Sequence, residues 1–488
     1  MQNLFRPPSP VLSNDLKNAM QAVLAASPLS TAHAKELPFA VRDLSRLLTQ
    51  DRSQMASSYW VNKRLLTAYC RYFLPWNLLR FSWLLPGLDI PMPKDGIILD
   101  LGSGPLTMPL ALWIARPAWR AMPLTVICSD VAPAPMNLGR DIFRQLAPDS
   151  PWKIELVRGP VEKILREFSR SANLVTAANV FNEIRPSRET PLQQRLESLV
   201  GRIGARLAPD GRILSIEPGT RLGGKLIALI RQAGFSSRLV PEMPCPHWGA
   251  CPMLAERASG WCHFSHVAGG APKELADLTK RAGLGKDTLS LSCMMLRKAS
   301  EAEIERAREH LPVMDEDLFD EEDFDGPEYD GDDGDNGWAG AFAASGLHGP
   351  GKGARNIARI LSDPIRLPDC DAPARYGCSH QGLVLVQDAL RVPSGAGATI
   401  TWPDRAERDA KSGALVVTLS VPTEKPMTPA PQKTPGPRKA PREPGQSKPR
   451  SVPSPRRQDA RTAPKKDAPI RKEPPSRAPK RKGEHHEQ

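Results

Sequence analysis

Residues 97–108, IILDLGSGPLTM, are the stretch of this chain best suited to binding chemistry. An apolar run ending in Asp100 leads into Gly102, Ser103 and Gly104, and apolar residues at helical spacing follow. This pattern predicts a strand, a tight glycine turn and a helix. Glycines let the backbone approach a ligand closely, and the start of a helix offers free N–H donors to an anionic group. The stretch therefore favours a turn that binds a nucleotide-like cofactor.

Further polar residues occur where a nucleoside-binding α/β domain needs them. Asp130 ends the next predicted strand, where a carboxylate can accept hydrogen bonds from both ribose hydroxyls, although a surface turn also suits it. Asn179, Asn182 and Glu183 follow a later strand in AANVFNEI. We expect these three to line the crevice beside the reactive end of the cofactor. We expect Asp100 to fix the glycine loop or to bind the amino group of the cofactor.

A cysteine cluster follows in the second half of the chain. Cys245, Cys251 and Cys262 lie within eighteen residues, among prolines and close to His247 and His263. Such density favours a metal site because thiolates are soft ligands that cross-link an irregular loop. The spacing differs from that of a zinc ribbon, whereas an iron–sulfur cluster tolerates irregular spacing but needs four cysteines. Three interpretations of these cysteines stay open, namely an iron–sulfur cluster, a zinc ion with a histidine ligand, and simple buried thiols.

The rest of the chain supplies the elements that position these residues. Residues 1–95 predict a helical N-terminal domain, with helices over 14–26, 35–48 and 55–85. Between 96 and 300, strands and helices alternate, which predicts a mostly parallel α/β sheet of the Rossmann-like class with a ligand crevice beyond the strand ends. The predicted strands are 96–101, 124–130, 153–158, 173–179, 211–217, 236–240 and 289–297. The predicted helices are 107–120, 134–147, 160–169, 190–207 and 220–233.

The N-terminal domain also mixes cations with aromatic residues. This composition suits contact with RNA phosphates combined with base stacking. An amphipathic helix with solvated arginines is the alternative. The cations are Arg42, Arg46, Lys63, Arg64, Arg71 and Arg80, and the aromatic residues are Trp60, Tyr69, Tyr72 and Trp76.

The last third of the chain changes composition twice. Residues 315–335 hold thirteen acids and no base, so we expect a disordered acidic loop over 301–350, either solvated or masking a basic surface. Residues 351–421 contain the strand-like runs LVLVQDALRV and ALVVTLSV and predict a small β module. We expect residues 422–488, which are rich in Pro, Lys and Arg, to form a disordered tail. From residue 424 onward the tail carries a net charge of +11 out of +12 overall, which suits RNA binding by counterion release or a spacer role.

Composition also indicates the cellular compartment of the protein. Eight cysteines in 488 residues, without a C-x-x-C pair, fit a reducing compartment, and we expect a cytoplasmic location. The first residues lack the apolar core of a signal peptide, and we expect no membrane span. We expect a monomer.

Several segments in order resemble the methyltransferase-like family associated with the small ribosomal subunit in bacteria and mitochondria. They are ILDLGSGPLTMPLAL, SDVAP, NVFNEI, LSIEPGTRLGGKLIALIR, PCPHWGACPM and GWCHF, and they cover about residues 55–300 with a looser continuation near 350–395. The resemblance implies the S-adenosylmethionine-dependent methyltransferase fold, S-adenosylmethionine as cofactor, and ribosomal RNA and proteins of the small subunit as partners.

The resemblance also implies roles for individual residues. Gly102 and Gly104, with Ser103 between them, would hold the methionine portion of the cofactor, and Asp130 would hold the ribose. Asn182 and Glu183 would form the catalytic edge, next to Asn179. Leu106 follows Pro105 where such enzymes often have a third glycine, and we expect it to narrow the loop.

For the cysteines, the resemblance implies a four-iron four-sulfur cluster, with zinc as the alternative. Cys378 lies about where the distal cysteine of the family falls, so the implied ligands are Cys245, Cys251, Cys262 and Cys378. Cys370 is the near competitor of Cys378, while Cys293 is expected in a sheet core.

Two functions follow from these observations. The first is a ribosomal RNA methyltransferase acting in small-subunit assembly or translation. The second is a non-catalytic RNA-binding assembly factor, which the absence of a recognisable acceptor motif favours. A small-molecule or protein methyltransferase with a zinc knuckle is a third interpretation, made less attractive by the cysteine motif and the basic tail.

Overall fold

The central sheet of the computed structural model is built from eight strands. Its order is β3-β2-β1-β4-β5-β8-β6, and β7 pairs with β8. Strands β1 to β5 run parallel, whereas β8 is antiparallel to its three neighbours. The strands are β1 (Ile97–Leu101), β2 (Thr125–Asp130), β3 (Lys153–Arg158), β4 (Ala172–Ala178), β5 (Leu207–Pro218), β6 (Leu239–Met243), β7 (Phe264–Val267) and β8 (Thr288–Lys298).

The structure describes most of the chain up to residue 420. The described residues are 3–49, 59–184, 190–255, 260–308, 356–361, 364–367, 370–387, 389, 392–405, 407–410 and 412–420. The predicted acidic loop, apart from its first residues, and the predicted basic tail lie outside them, as does the side chain of Cys370.

Helices cover both faces of this sheet because alternate strand residues point to opposite sides. In β1, Ile98 packs into one apolar cluster, while Leu99 and Leu101 pack into the other. The helices are α1 (Pro10–Ala26), α2 (Thr31–Thr49), α3 (Lys63–Ala68), α4 (Leu74–Leu84), α5 (Thr107–Ala115), α6 (Pro133–Leu146), α7 (Val161–Glu167), α8 (Leu192–Ala205), α9 (Arg221–Ser236), α10 (Lys273–Ala282) and α11 (Glu301–Arg308).

The N-terminal helices α1 to α4 form a layer that we call the helical cap. A single helix was predicted over 55–85, and this prediction is wrong in detail. The described part begins with a short 3-10 turn at Tyr59–Val61, and a π-helical segment at Tyr69–Phe73 separates α3 from α4. Pro75 closely follows this segment and has no N–H to continue the α-helical ladder, which explains the wider turn.

A second sheet follows residue 356 and closes into a barrel. Its strands are β9 (Ile357–Ile360), β10 (Ile365–Leu367), β11 (Cys370–Ser379), β12 (Gly382–Gln387), β13 (Gly397–Thr401) and β14 (Leu415–Leu419). The strand β9 pairs with both β11 and β13, while β12 and β14 pair in parallel. Numbered along the chain without β10, the five barrel strands have the order 1-2-3-5-4-1, which is the topology of an OB-fold barrel.

The outer face of β11 and β12 is turned toward the α/β domain. Cys378 and Leu383 are register partners on this face, and His247 of the α/β domain lies 3.3 Å from the Cys378 sulfur. Nearby, the Arg359 guanidinium donates to the Pro244 carbonyl at 2.9 Å. OB-folds commonly bind oligonucleotides on this face, whereas here it contacts the same chain.

The first described residues tie these layers together. The Leu4 N–H donates to the Gly395 carbonyl of the barrel, and the Arg6 N–H donates to the Trp83 carbonyl of the helical cap. Between them, the ring of Phe5 packs 5.5 Å from that of Phe264 in β7. The described residues up to 420 accordingly belong to one compact unit.

All seven predicted strands of the central sheet are present, with boundaries within a few residues. Three further elements, β7, α10 and α11, were not predicted from the sequence, and α11 occupies the first residues of the segment 301–350 that was expected to be a disordered loop. Strand β7 has four residues and lies between the cysteines and a glycine-rich turn. Its alternation of residue types is too short to be recognised as a strand in the sequence. Among the described residues, no helix is long and apolar enough to cross a membrane.

Gly139 of α6 gives a test of how the fold positions the glycine turn. A Cβ atom at this residue would lie 2.3 Å from the Pro105 carbonyl carbon, so Gly139→Ala must displace the turn. We expect a loss of about 1–3 kcal/mol of stability, typical of overpacking, measured by denaturant unfolding. Gly269→Ala is the control, because nothing lies within 4 Å of its Cβ position. Equal stability of the two variants would contradict this role of Gly139.

Candidate functional site

A cavity of about 410 Å³ lies where the carboxyl ends of β1, β2 and β4 meet the helical cap. Its size is in the range of small-molecule sites. The eight residues predicted for the cofactor and the catalytic edge all line it, namely Asp100, Gly102, Ser103, Gly104, Asp130, Asn179, Asn182 and Glu183. The sheet brings them together because parallel strands end at the same edge.

The glycine turn begins where β1 ends. Gly102 and Gly104 have positive φ angles of 63° and 48°, so a side chain at either residue would be strained. The Asp130 carboxylate holds the turn from β2: its Oδ2 accepts the Gly104 N–H at 2.9 Å. Its Oδ1 accepts the Ala132 N–H, also at 2.9 Å. Burial raises the pKa of Asp130, although these N–H donors oppose the shift.

Leu106, which was expected to narrow the glycine loop, does not line the cavity. It adopts the left-handed conformation, with φ of 57°, directly before α5. Its side chain is fully buried in the apolar core and is not among the residues that line the cavity. The apolar core behind the turn therefore accommodates Leu106 where such enzymes often have a third glycine.

Asp100 is an almost fully buried carboxylate at the end of β1, with 1% of its surface exposed. Its Oδ1 accepts the Thr176 hydroxyl at 2.5 Å, while its Oδ2 is buried and has no hydrogen-bond partner among the residues that the structure describes. Burial raises the pKa of Asp100 to about 7, against the opposing hydrogen bonds from Thr176 and Ser103. The carboxyl group is thus poised for a donor from the cavity.

Asn179 also presents an unsatisfied acceptor. This residue follows β4 with a φ of 57°, in the left-handed region that Asn tolerates better than most residues. Its Oδ1 is buried without a hydrogen-bond partner. Asp100 and Asn179 therefore bring two buried, unpartnered acceptors to one cavity.

One residue that holds the Asn179–Glu183 loop in place was not predicted from the sequence. Glu217, fully buried in β5, accepts the N–H groups of Val180 at 3.2 Å and Phe181 at 2.9 Å through Oε1. It belongs to the IEPGT segment, but only the sheet pairing places it beside the loop. Lys286, which also lines the cavity, had no distinguishing signal in the sequence.

The structure divides the predicted set of cations and aromatic residues. Trp60, Tyr69, Tyr72 and Arg80 line the cavity. Trp76 is buried and donates to Thr279, which excludes it from base stacking. Arg71 is tied to the Ser27 hydroxyl and carbonyl. Four cations remain exposed on the helical cap, namely Arg42, Arg46, Lys63 and Arg64, the last paired with Asp43.

Two cysteines of the predicted cluster, Cys245 and Cys251, lie in the loop after β6, while Cys262 precedes β7 and Cys378 belongs to β11. Burial raises the pKa of Cys262 and Cys378 well above the usual value for a thiol. The other cysteines of the set raise both pKa values further. This mutual effect requires the sulfurs to be near one another. Within the described residues, however, no group of three or more His, Cys, Asp or Glu side chains is arranged to hold a metal ion.

Two buried arginines border these cysteines. Arg231 is 1% exposed and donates to the carbonyls of His247 and Gly249, while its Nε and Nη1 make no hydrogen bond within the usual limits. Burial lowers the pKa of Arg231, but the nearby cysteines outweigh burial and the net shift is upward. Arg359, described above, is the second. The cysteines thus lie in a buried region with fixed positive charge.

Of the other cysteines, Cys293 lies buried in β8, as predicted for a sheet core. Cys70 and Cys128 are also buried core residues.

The fold class follows from the sheet itself. A parallel sheet with β1 next to β4, an antiparallel β8 between β5 and β6, and a cavity at the strand ends define a Rossmann-like α/β domain of the methyltransferase type. The predicted fold class is confirmed.

A separate comparison supports the resemblance to a known family. Residues 90–280 match the family model described as Rsm22, mitochondrial small ribosomal subunit Rsm22. The predicted resemblance to a methyltransferase-like family of the small ribosomal subunit is therefore confirmed over these residues. No curated protein matches the chain.

The solved structures that resemble this chain include several methyltransferases of low sequence identity. Precorrin-6y C5,15-methyltransferase from Geobacter metallireducens GS-15 is 10% identical, with 51% of this chain and 96% of that chain covered and a TM-score of 0.28. The O-methyltransferase NcsB1 from neocarzinostatin biosynthesis is 11% identical, with 55% and 70% covered and a TM-score of 0.32. Mitomycin 7-O-methyltransferase MmcR is 13% identical, with 55% and 67% covered and a TM-score of 0.29.

Asp100 gives a pH-dependent prediction for the unliganded protein. An acid whose pKa rises from about 4 in the unfolded chain to about 7 in the folded protein binds an extra proton on folding between these values. Stability from this group is therefore present at pH 4 and lost as the pH rises through 7, by ~4 kcal/mol at pH 8. Asp100→Asn keeps an acceptor for Thr176 and removes the titration.

Urea unfolding of both proteins between pH 5 and pH 8 measures this effect. The stability of the variant relative to the wild type should be lowest near pH 5 and should rise progressively toward pH 8. A constant difference between the two proteins across this range would show that Asp100 does not titrate there.

Proposed function

We propose that the cavity binds S-adenosylmethionine and that the protein is a methyltransferase acting on RNA of the small ribosomal subunit. One observation carries the cofactor proposal: Asp100 Oδ2 and Asn179 Oδ1 are buried acceptors without a partner in the same cavity as the glycine turn. An ammonium group has three N–H donors and no acceptor. The α-ammonium group of the methionine portion therefore satisfies both oxygens.

Other residues fit the remainder of the cofactor. The backbone of Gly102, Ser103 and Gly104 is open to the methionine portion. Each oxygen of the Asp130 carboxylate accepts one backbone N–H and retains capacity for a ribose hydroxyl. When bound, S-adenosylmethionine supplies an electrophilic methyl group on a sulfonium sulfur.

The role of Asn182 and Glu183 is to align the acceptor. Both line the cavity after β4, and Glu183 is exposed at its opening. Methyl transfer depends mainly on alignment of the nucleophile with the methyl group, so a strong general base is not required. The two side chains are suited to orient an acceptor by hydrogen bonds.

RNA as the acceptor is supported by the family match and by charge. Arg42 and Arg46 of α2 and Lys63 of α3 are exposed on the helical cap, and Ser45 and Thr49 of α2 line the cavity. Exposed cations beside a cavity favour binding of a phosphate backbone. Residues 422–488 add further cations. The family description names the mitochondrial small ribosomal subunit, while the cytoplasmic location and the monomeric state stay predictions.

A non-catalytic RNA-binding assembly factor is the second candidate. The absence of a recognisable acceptor motif favours it, and the same cavity would then bind the cofactor for stability alone. Incubation of the protein with methyl-labelled S-adenosylmethionine and small-subunit RNA distinguishes the two candidates. Transfer of label to RNA supports the methyltransferase, and binding of both ligands without transfer supports the assembly factor.

The cofactor proposal is tested by Gly104→Arg. The long side chain would occupy the glycine turn, and its positive φ adds backbone strain, so we expect loss of S-adenosylmethionine binding in calorimetry. Gly269→Arg, at an open surface position, is the matched control and should bind as the wild type does. Unchanged affinity of a folded Gly104→Arg protein would reject the assigned site.

We also propose that Cys245, Cys251, Cys262 and Cys378 hold a four-iron four-sulfur cluster, with zinc as the alternative. Four thiols are the donor set of such a cluster, and its negative charge suits the buried guanidinium groups of Arg231 and Arg359. The Arg231 guanidinium already interacts with the Cys245 side chain, which puts positive charge directly beside the cysteines. Metal binding there would join the barrel to the α/β domain, since Cys378 belongs to β11.

The ligand set is tested by anaerobic purification with iron, zinc and acid-labile sulfide assays. We expect about four irons and four sulfides per chain in the wild type. Cys251→Ser should lose the metal and unfold at a lower temperature, because metal binding contributes to folding. Cys293→Ala is the control and should keep it. Full metal content in Cys251→Ser would remove Cys251 from the ligands, and one zinc per chain would favour the alternative.

A further inference from the structure

Aromatic residues form one wall of the cavity, and the roles assigned above to the glycine turn and the carboxylates give these residues no function. Trp60 packs against Tyr69 edge to face, with ring centroids 4.8 Å apart, and Tyr69 stacks on Phe73 at 5.7 Å. All three residues line the cavity from the helical cap. The π-helical segment Tyr69–Phe73 supplies two of them, and such segments are frequent at functional sites.

Trp60 lies against the glycine turn. A Cβ atom built on Gly104 would lie 3.5 Å from Cζ2 and 3.7 Å from Cη2, two atoms of the six-membered ring of the indole. Gly104 also donates its N–H to Asp130, the proposed ribose-binding residue. Asp100, the proposed ammonium-binding residue, lies at the start of the same turn. The indole therefore borders the turn between the residues assigned to the ammonium group and to the ribose, and the sulfonium sulfur lies between these two groups in the cofactor.

An aromatic ring in this position distinguishes ligands by charge. The face of an indole attracts a cation within about 6 Å, most strongly where water is excluded. S-adenosylmethionine carries a positive charge on its sulfonium sulfur, whereas S-adenosylhomocysteine is a neutral thioether that lacks only the methyl group. Charge is the main difference between the two that an indole can detect.

We propose that Trp60, supported by Tyr69, is a specificity-determining residue that favours the sulfonium cation over the neutral thioether. This inference rests on the proposed function, because it takes the cavity to be the S-adenosylmethionine site. Its consequence is weaker retention of the demethylated product than of the methyl donor. The side chain that determines this preference comes from the helical cap, not from the α/β domain.

The experiment is calorimetric titration of the full chain with each of the two ligands. Trp60→Leu removes the π face and keeps an apolar side chain. We expect its affinity for S-adenosylmethionine to fall by about two- to thirtyfold, while its affinity for S-adenosylhomocysteine changes by less than about twofold. Trp60→Phe retains a weaker π face and should show an intermediate preference.

Trp402→Leu is the matched control, since Trp402 belongs to the barrel and donates to Asn356 there. It should leave both affinities unchanged. Thermal unfolding checks that each variant is folded, and Tyr69→Leu gives the same comparison should Trp60→Leu fail to fold. An equal loss for both ligands, or no loss for either, overturns the inference while leaving the cofactor site intact. A wild-type protein that binds neither ligand rejects the proposed function itself.

Discussion

The bond between the Asp130 carboxylate and the Gly104 N–H is the constraint on which the site depends. It joins the ends of two adjacent parallel strands, so the glycine turn is fixed by a side chain from β2 as well as by its own backbone. The second oxygen of Asp130 fixes the following turn at Ala132. A buried carboxylate is stable here because backbone N–H donors satisfy it, which offsets part of the cost of burial.

A carboxylate that accepts backbone N–H groups also holds the opposite side of the cavity. Glu217 from β5 holds the loop after β4 through two backbone N–H groups, just as Asp130 holds the loop after β1. Both carboxylates therefore act on backbone geometry. Asp100 differs, because the hydrogen bond to its Oδ1 comes from the Thr176 side chain and not from a loop N–H. Asp100 therefore does not hold a loop backbone, and among the described residues nothing donates to its Oδ2.

The sequence was sufficient for the parts of the fold that local patterns determine. The strands of the central sheet follow from apolar runs, and the convergence of Asp100, Asp130 and Asn179 follows from the rule that parallel strands end at one edge. Long-range pairing was not predictable in this way. The closure of β9 against both β11 and β13, and the position of Glu217 beside the β4 loop, depend on contacts between residues far apart in the chain.

The barrel shows why fold alone does not assign a function. Its OB-fold topology suggests oligonucleotide binding on the face of β11 and β12, but Cys378 and Leu383 turn that face toward the α/β domain. With this face in contact with the same chain, the exposed cations of the helical cap are the better-placed contact for the proposed RNA partner. The barrel instead brings Cys378 against the α/β domain, 3.3 Å from His247. The proposed cofactor cavity therefore lies beneath the helical cap and Cys378 lies on the barrel, two layers that the Leu4 and Arg6 backbone bonds connect.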